Sequence, residues 1–213
     1  MTTESATAAR GGARVDDTES AILDAAAGCV LAFGVRRTSL SDIARRAGVS
    51  RPTVYRRWPD LRALVADLMT RELATVFAAA AADTLAADAA GAPGTVRERA
   101  IRQFLAAAAE LRSHPLLAKI IQVDPELLQP YIFERLGASQ RMALGFIAER
   151  VRAGQRDGSI RPGDEAAMSV TVLLSLQAQI LSARTTDGLV SPARRDAEAA
   201  ELLDRYLRPA GAA

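Results

Sequence analysis

The chain has 213 residues, of which 49% are hydrophobic and 4% aromatic, and the abundance of Ala and Leu with few alternating β-branched runs predicts an all-α fold with one small and one larger domain. Its formal net charge of +2 argues against a polycation, and the single Cys29 excludes an intrachain disulfide. No signal peptide and no stretch of ~20 apolar residues is present, so we expect a cytoplasmic protein without a membrane partner.

The N-terminal region is predicted to be a tail followed by one helix. Residues 1–16 have no apolar periodicity, so we expect a disordered tail. Apolar residues then recur at helical spacing from about Thr18 to Phe33. Gly34 suits the end of that helix because glycine adopts the left-handed backbone of a helix terminus.

Two short helices joined by a glycine come next. Ser39 suits the N-cap of the first, with Asp42 in capping-box position, and Ser50 suits the N-cap of the second. Gly48 permits the sharp turn between them. Small and apolar residues are spaced to fill the wedge between the two helices: Ile43, Ala44, Ala47, Val49 and Val54. The pattern predicts a helix-turn-helix within a small domain at residues 17–64.

The same stretch is strongly basic. Seven arginines and one acid, Asp42, lie between residues 36 and 57, so the rest of the chain is net acidic. A local basic block indicates a polyanion-binding surface, although a solvated helix face would give the same charge pattern. In a helix-turn-helix, the second helix would present guanidinium groups and a phenol to DNA.

The remainder of the chain predicts further helices, about nine in total. A long helix opens at Pro59 and runs to about Ala82, and residues 88–94 form a Gly- and Pro-containing break. A later helix, Asp164 to about Arg184, is apolar over more than one face. A helix of that kind needs burial on two sides, which a core plus a subunit interface would supply.

The segment from Gly34 to Trp58 closely resembles the signature of TetR-family repressors. The matching elements are the helix-ending glycine and the runs Asp42-Ile43-Ala44, Ala47-Gly48-Val49-Ser50 and Thr53-x-Tyr55, with an aromatic residue three positions after the tyrosine. The resemblance covers about residues 18–70. It implies that DNA is contacted by Ser39, Ser41, Ser50, Arg51, Thr53, Tyr55, Arg56 and Arg57.

One position departs from the family pattern. Many family members carry a phosphate-binding lysine at the start of the fourth helix, where this chain has Leu61. The resemblance therefore implies that this contact is lost, or that Arg57, Arg62 or the amides of the helix N-terminus supply it.

By the same resemblance, residues 65–213 form a ligand-binding and dimerisation domain, and the last two helices pair with those of a second subunit. The implied function is a repressor that binds a palindromic operator as a homodimer and is released by a small hydrophobic or aromatic effector. We expect no cofactor and no metal. Effector-binding candidates are the large apolar groups and one amide of the middle helices: Phe104, Tyr131, Phe133, Met142, Phe146 and Gln177.

Two other classes of function stay open from the sequence. An enzyme is disfavoured because the chain has no phosphate loop, no Gly-x-Ser-x-Gly elbow and no metal-ligand cluster, and because Cys29 and His114 are far apart. An architectural DNA-binding protein would share the helix-turn-helix but would need no ligand cavity.

Overall fold

The computed structural model describes residues 4–89 and 94–211, and every regular element within these ranges is helical, as the sequence predicts. The described ranges hold ten α-helices, one more than the expected number, and two short 3₁₀ helices at Pro125–Leu127 and Ala183–Thr186. The α-helices are α1 (Glu4–Phe33), α2 (Leu40–Arg46), α3 (Arg51–Arg57), α4 (Leu61–Ala89), α5 (Val96–Ser113), α6 (Pro115–Val123), α7 (Gln129–Phe133), α8 (Ala138–Arg156), α9 (Glu165–Leu181) and α10 (Pro192–Leu207).

Side-chain caps fix the start of several helices. At α5 the Thr95 hydroxyl accepts a hydrogen bond from the Glu98 amide at 3.2 Å, and the Glu98 carboxylate accepts one from the Thr95 amide at 2.7 Å. This reciprocal pair is a capping box. Asp164 caps α9, and Ser191 caps α10, which has a proline in its first turn. Short-range hydrogen bonds of this kind follow directly from the sequence.

The first helix is longer than its apolar periodicity predicts. The helical backbone of α1 begins at Glu4, whereas the sequence predicted a disordered tail over residues 1–16 and a helix start near Thr18. The extra turns contain no proline, and they hold four alanines and two arginines, which are strong helix formers, together with two glycines, which are weak ones. A search for an apolar face misses this extension because it has no apolar periodicity.

The described chain folds as two compact units. The first combines Met1–Met69 with Pro115–Arg135, and the second combines Thr70–His114 with Leu136–Ala213. The sequence assigned all of residues 65–213 to one domain, but Pro115–Arg135 belongs to the N-terminal unit. The reason is that α6 packs against α1 and buries Leu116 and Ile120 in the first core.

Each unit has its own apolar core. The first core lies between α1, α2, α3, the start of α4 and α6, and its most buried members include Ile22, Ile43, Val54, Trp58, Leu64, Leu68 and Ile120. The second lies between α5, α8, α9 and α10 and includes Phe104, Ile147, Val151, Met168, Val172, Leu203 and Leu207. None of the described helices combines the length and apolar content needed to cross a membrane.

Candidate DNA-binding surface

The turn between α2 and α3 has the geometry of a helix-turn-helix. Gly48 has a φ of +68°, a value that glycine adopts without steric cost, and the Val49 amide donates to the Ala44 carbonyl at 3.0 Å. Ile43 and Val54 are completely buried where the two helices meet. The wedge residues that the sequence singled out therefore fix the position of α3 against α2.

The short helix α3 presents polar side chains to solvent. Ser50 caps it, with its hydroxyl 3.3 Å from the Thr53 amide and 2.7 Å from the Thr53 hydroxyl. Arg51, Tyr55 and Arg56 are exposed on this helix, and the two arginines form no ion pair with any described residue. These guanidinium groups and the Tyr55 phenol are thus available to an external partner, whereas Val54 on the opposite side anchors the helix.

Arg57 is already engaged within the protein. Its Nε and Nη2 donate to the two carboxylate oxygens of Glu19 in α1, at 3.2 and 3.3 Å, and its guanidinium lies 5.6 Å from the centre of the Trp58 ring. The hydrogen bond and charge of Glu19 raise the pKa of Arg57. The resemblance implies that Arg57 contacts DNA, and in this structure Glu19 holds two of its guanidinium nitrogens.

The two serines at the start of α2 differ in their surroundings. The Ser39 hydroxyl accepts from the Asp42 amide at 3.1 Å and donates to the Asp42 carboxylate at 2.6 Å, which lowers the pKa of Asp42. Arg45 adds a 2.6 Å ion pair to the same carboxylate. Ser41 is half-buried. Ser39 therefore fixes the helix start, and a phosphate would share a hydroxyl that already has partners.

The start of α4 carries no lysine, and the structure shows what occupies that position. Leu61 is half-buried and packs against the first core. Asp60 caps the helix, with its carboxylate 2.8 Å from the Ala63 amide. The helix amides are therefore partly occupied by a carboxylate, while Arg62 is exposed beside them. Arg57, Arg62 and the helix amides were the groups expected to replace the missing lysine contact. Of these, Arg62 has the fewest competing contacts.

Asp124 holds the loop that leads into α2. Its side chain is fully buried and accepts hydrogen bonds from the amides of Val35, at 2.7 Å, and Arg36, at 3.2 Å. The Arg36 guanidinium donates in turn to Glu126 at 2.6 Å. A buried carboxylate needs partners, but nothing local in the sequence shows that they lie 89 residues away.

Comparison with known proteins decides the family. The profile described as "Bacterial regulatory proteins, tetR family" matches residues 22–68. An uncharacterized HTH-type transcriptional regulator of Mycobacterium tuberculosis is 41% identical over 191 residues, which cover 90% of this chain and 95% of the relative. The chain belongs to the TetR family. It is a transcriptional regulator with a DNA-binding helix-turn-helix, as its relatives are.

Further similarities cover the length of this TetR-family regulator. The HTH-type regulator YhgD of Bacillus subtilis is 25% identical over 158 residues, or 74% of this chain and 79% of YhgD. FadR from Bacillus subtilis, solved with stearoyl-CoA, has a TM-score of 0.62 at 18% identity and covers 88% of this chain and 98% of its own. RolR, solved with resorcinol, has a TM-score of 0.66 at 15% identity, with coverages of 92% and 90%. These structures share the fold.

The effector-binding residues predicted for this TetR-family chain are divided between the two units. Phe104 and Phe146 meet in the second unit with ring centres 6.2 Å apart, and Gln177 accepts a 2.7 Å hydrogen bond from Gln140 there. Met142 is also in this unit and is half-buried. The remaining two lie on α7 in the first unit: Tyr131 and Phe133, the latter 79% exposed. The structure therefore splits the predicted set because the chain from Pro115 to Arg135 packs with the N-terminal core.

Sequence reasoning also missed an arginine in the second unit. The guanidinium carbon of Arg150 lies 3.5 Å from the centre of the Phe146 ring, and its Nε donates to the Gln103 side chain at 2.6 Å. The Phe146 ring also stacks on Phe77, with the two ring centres 4.9 Å apart. Phe146 and Arg150 are four residues apart, so they share one helix face. This spacing in the sequence could have identified the contact.

Proposed function

We propose that this TetR-family regulator is a repressor that binds a palindromic operator as a homodimer and releases it when a small hydrophobic or aromatic effector binds the second unit. The observation that carries the proposal is α3, which exposes Arg51, Tyr55 and Arg56 from a helix anchored by a fully buried Val54. Helices of this kind enter the major groove and read base edges.

The proposed DNA contacts fall into two groups. Arg51, Tyr55 and Arg56 are exposed and are placed to reach bases or phosphates. The second group lies at the edge of the surface and is proposed to contact phosphates, which fix the orientation of the protein on DNA. It consists of four hydroxyl residues and one arginine: Ser39, Ser41, Ser50, Thr53 and Arg57. Exchange of Glu19 for a phosphate would bring Arg57 into this group.

Substitution on α3 tests this surface. Arg51→Ala and Tyr55→Phe should each weaken operator binding by about 1–3 kcal/mol, with the melting temperature unchanged because both side chains are exposed. Fluorescence anisotropy with operator DNA at fixed salt measures the effect. The matched control is Arg152→Ala, an exposed arginine of α8 in the second unit, which should bind operator like the wild type. Normal operator affinity in both α3 variants would contradict the proposal.

The homodimer is supported by exposed apolar side chains on the last two long helices, α9 and α10. On α9, Val170 and Leu174 are 39% and 54% exposed and lie four residues apart, so they share one face. On α10, Leu202 is 55% exposed. Exposed apolar side chains grouped on helices mark association surfaces. A second copy of the chain would cover them, and its second α3 would give the two-fold footprint that a palindrome requires.

A charge on this face tests the dimer. Leu174→Glu should give a monomer in sedimentation experiments at micromolar concentration and should lose most of its operator affinity, because burying an unpaired carboxylate in an interface is costly. Phe133→Glu is the control, since Phe133 is an equally apolar and more exposed residue of α7. A monomeric wild type at that concentration would contradict the dimer.

Effector control is supported by two features. Structural neighbours were solved with small molecules, stearoyl-CoA in FadR and resorcinol in RolR. In this chain the second unit contains the aromatic contacts of Phe77, Phe104 and Phe146. If effector and operator favour different conformations, each must weaken the binding of the other by the same factor, typically ~5–150-fold. Equal effector affinity with and without saturating operator would identify a ligand-insensitive DNA binder instead.

A further inference from the structure

Three phenylalanines from three helices of the second unit form an aromatic cluster. Phe77 of α4 stacks on Phe146 of α8 with ring centres 4.9 Å apart, and Phe104 of α5 meets Phe146 edge-on at 6.2 Å. Phe104 is only 2% exposed, whereas Phe77 and Phe146 are half-buried. The cluster is therefore apolar and partly open.

A cation lies on this cluster. The guanidinium of Arg150 covers the Phe146 ring at 3.5 Å, and its side chain is 18% exposed. Its nearest carboxylate, Glu149 at 3.0 Å, is 75% exposed, so water screens that pair. Burial lowers the pKa of Arg150, and Glu149 offsets this only in part. The guanidinium thus carries a positive charge in an apolar place with a weak counter-charge.

Hydrogen-bond donors remain unused beside this charge. Arg150 Nε donates to the Gln103 amide oxygen at 2.6 Å, and Nη1 donates to the Phe146 carbonyl and to Glu149. Within the described residues, Nη2 of Arg150 and the amide nitrogen of Gln103 have no hydrogen-bond acceptor. Neither nitrogen is one of the buried polar atoms that lack a partner, so both keep access to solvent and can donate to an acceptor that arrives from it.

We propose that Arg150 and Gln103 bind the carboxylate of an organic-acid effector whose apolar body packs on Phe77, Phe104 and Phe146. The planar guanidinium matches a carboxylate, and the Gln103 amide adds a neutral donor. A wholly neutral effector would cover the cation without pairing it, which desolvation disfavours. This inference rests on the proposed effector role of the second unit and narrows its ligand class to carboxylic acids.

Matched acids and alcohols test the carboxylate. Calorimetric titration of the full chain should show 4-phenylbutanoate and decanoate binding at least about ten-fold more tightly than 4-phenylbutanol and decanol. In Arg150→Gln the acids should bind about 10- to 100-fold more weakly, while the alcohols change by less than about two-fold. Arg150→Lys keeps the charge and should lie between the two proteins. The control Arg152→Gln, on the same helix but exposed and paired with Glu165, should match the wild type.

Three results would overturn the proposal. They are equal affinity of the wild type for acids and alcohols, no acid binding at millimolar concentration, and an equal loss of acid and alcohol binding in Arg150→Gln. The last result, with a lower melting temperature, would show that Arg150 only supports packing. The wild-type comparison stands even if Arg150→Gln does not fold.

Measuring whether the same acids and alcohols release the operator distinguishes a failure of the carboxylate site from a failure of effector control. If alcohols release the operator and acids do not, effector control holds and the carboxylate site fails. If acids bind through Arg150 but leave operator affinity unchanged, the site holds and effector control fails.

Discussion

In the first unit, Arg51, Tyr55 and Arg56 lie within one seven-residue helix and are exposed, whereas in the second unit Gln103 and Arg150 come from two helices and are largely buried. The side chains proposed to bind DNA project from a core that they do not help to build. The aromatic and polar groups of the second unit belong to its packing. Substitutions of the exposed residues of α3 should therefore leave the stability of the protein unchanged, whereas substitutions of Gln103 or Arg150 should lower it.

Asp124 is an exception within the first unit. It holds the loop before α2, although it lies 89 residues further along the chain than Val35. Asp124→Ala leaves the Val35 and Arg36 amides without their acceptor. Since Asp124 is fully buried, we expect the free energy of unfolding to fall by about 2–3 kcal/mol and operator affinity to fall with it. Urea denaturation followed by circular dichroism measures the stability.

Two further variants test whether the loss of stability comes from the hydrogen bonds that Asp124 accepts. Asp124→Asn keeps an acceptor oxygen and should retain more than half of the lost stability. Glu126→Gln removes only the exposed partner of Arg36 and should leave the unfolding midpoint unchanged. Equal stability of Asp124→Ala and the wild type would show that the loop before α2 is held by packing alone.

Two glycines of α8 test how tightly the second unit is packed. A Cβ on Gly154 would lie 2.5 Å from two side-chain carbons of Ile160, whereas a Cβ on Gly145 would meet nothing within 4 Å. Gly154→Ala should therefore lower the free energy of unfolding by about 1–3 kcal/mol. Gly145→Ala should raise it by about 0.5–1 kcal/mol, because alanine has the higher helix propensity.

Differential scanning calorimetry of the two glycine variants gives the comparison directly. The predicted shifts in melting temperature have opposite signs although the chemical change is the same and both positions lie on one helix. A rise in the melting temperature of Gly154→Ala would mean that Ile160 moves aside freely and that this side of the second core is loosely packed.

Glu19 offers the smallest effect, at the edge of the DNA-binding surface. Glu19→Gln releases Arg57 from its carboxylate partner, so operator affinity should rise by about two- to five-fold with a steeper salt dependence. The melting temperature should stay the same because the pair is exposed. Glu201→Gln is the control, since Glu201 holds exposed Arg205 in the second unit. Operator affinity at three salt concentrations decides the matter, and an unchanged affinity would remove Arg57 from the proposed contacts.

The sequence by itself determined the helical fold class, the helix-turn-helix and the caps at Ser39 and Ser50. Each of these depends on hydrogen bonds or apolar contacts between residues a few positions apart, so the pattern is visible in a short stretch of chain. The exposure of Arg51 and Tyr55 follows in the same way, because the buried side of a short helix fixes the opposite side.

Only the tertiary structure decided which distant residues meet. Asp124 joins Val35 across 89 residues, Arg150 joins Gln103 across 47, and Glu19 engages Arg57 across 38. The return of Pro115–Arg135 to the first unit also placed Tyr131 and Phe133 in a different unit from the aromatic cluster. Such contacts depend on how whole helices pack, and helix periodicity reveals which face of a helix is apolar but not which neighbour covers it.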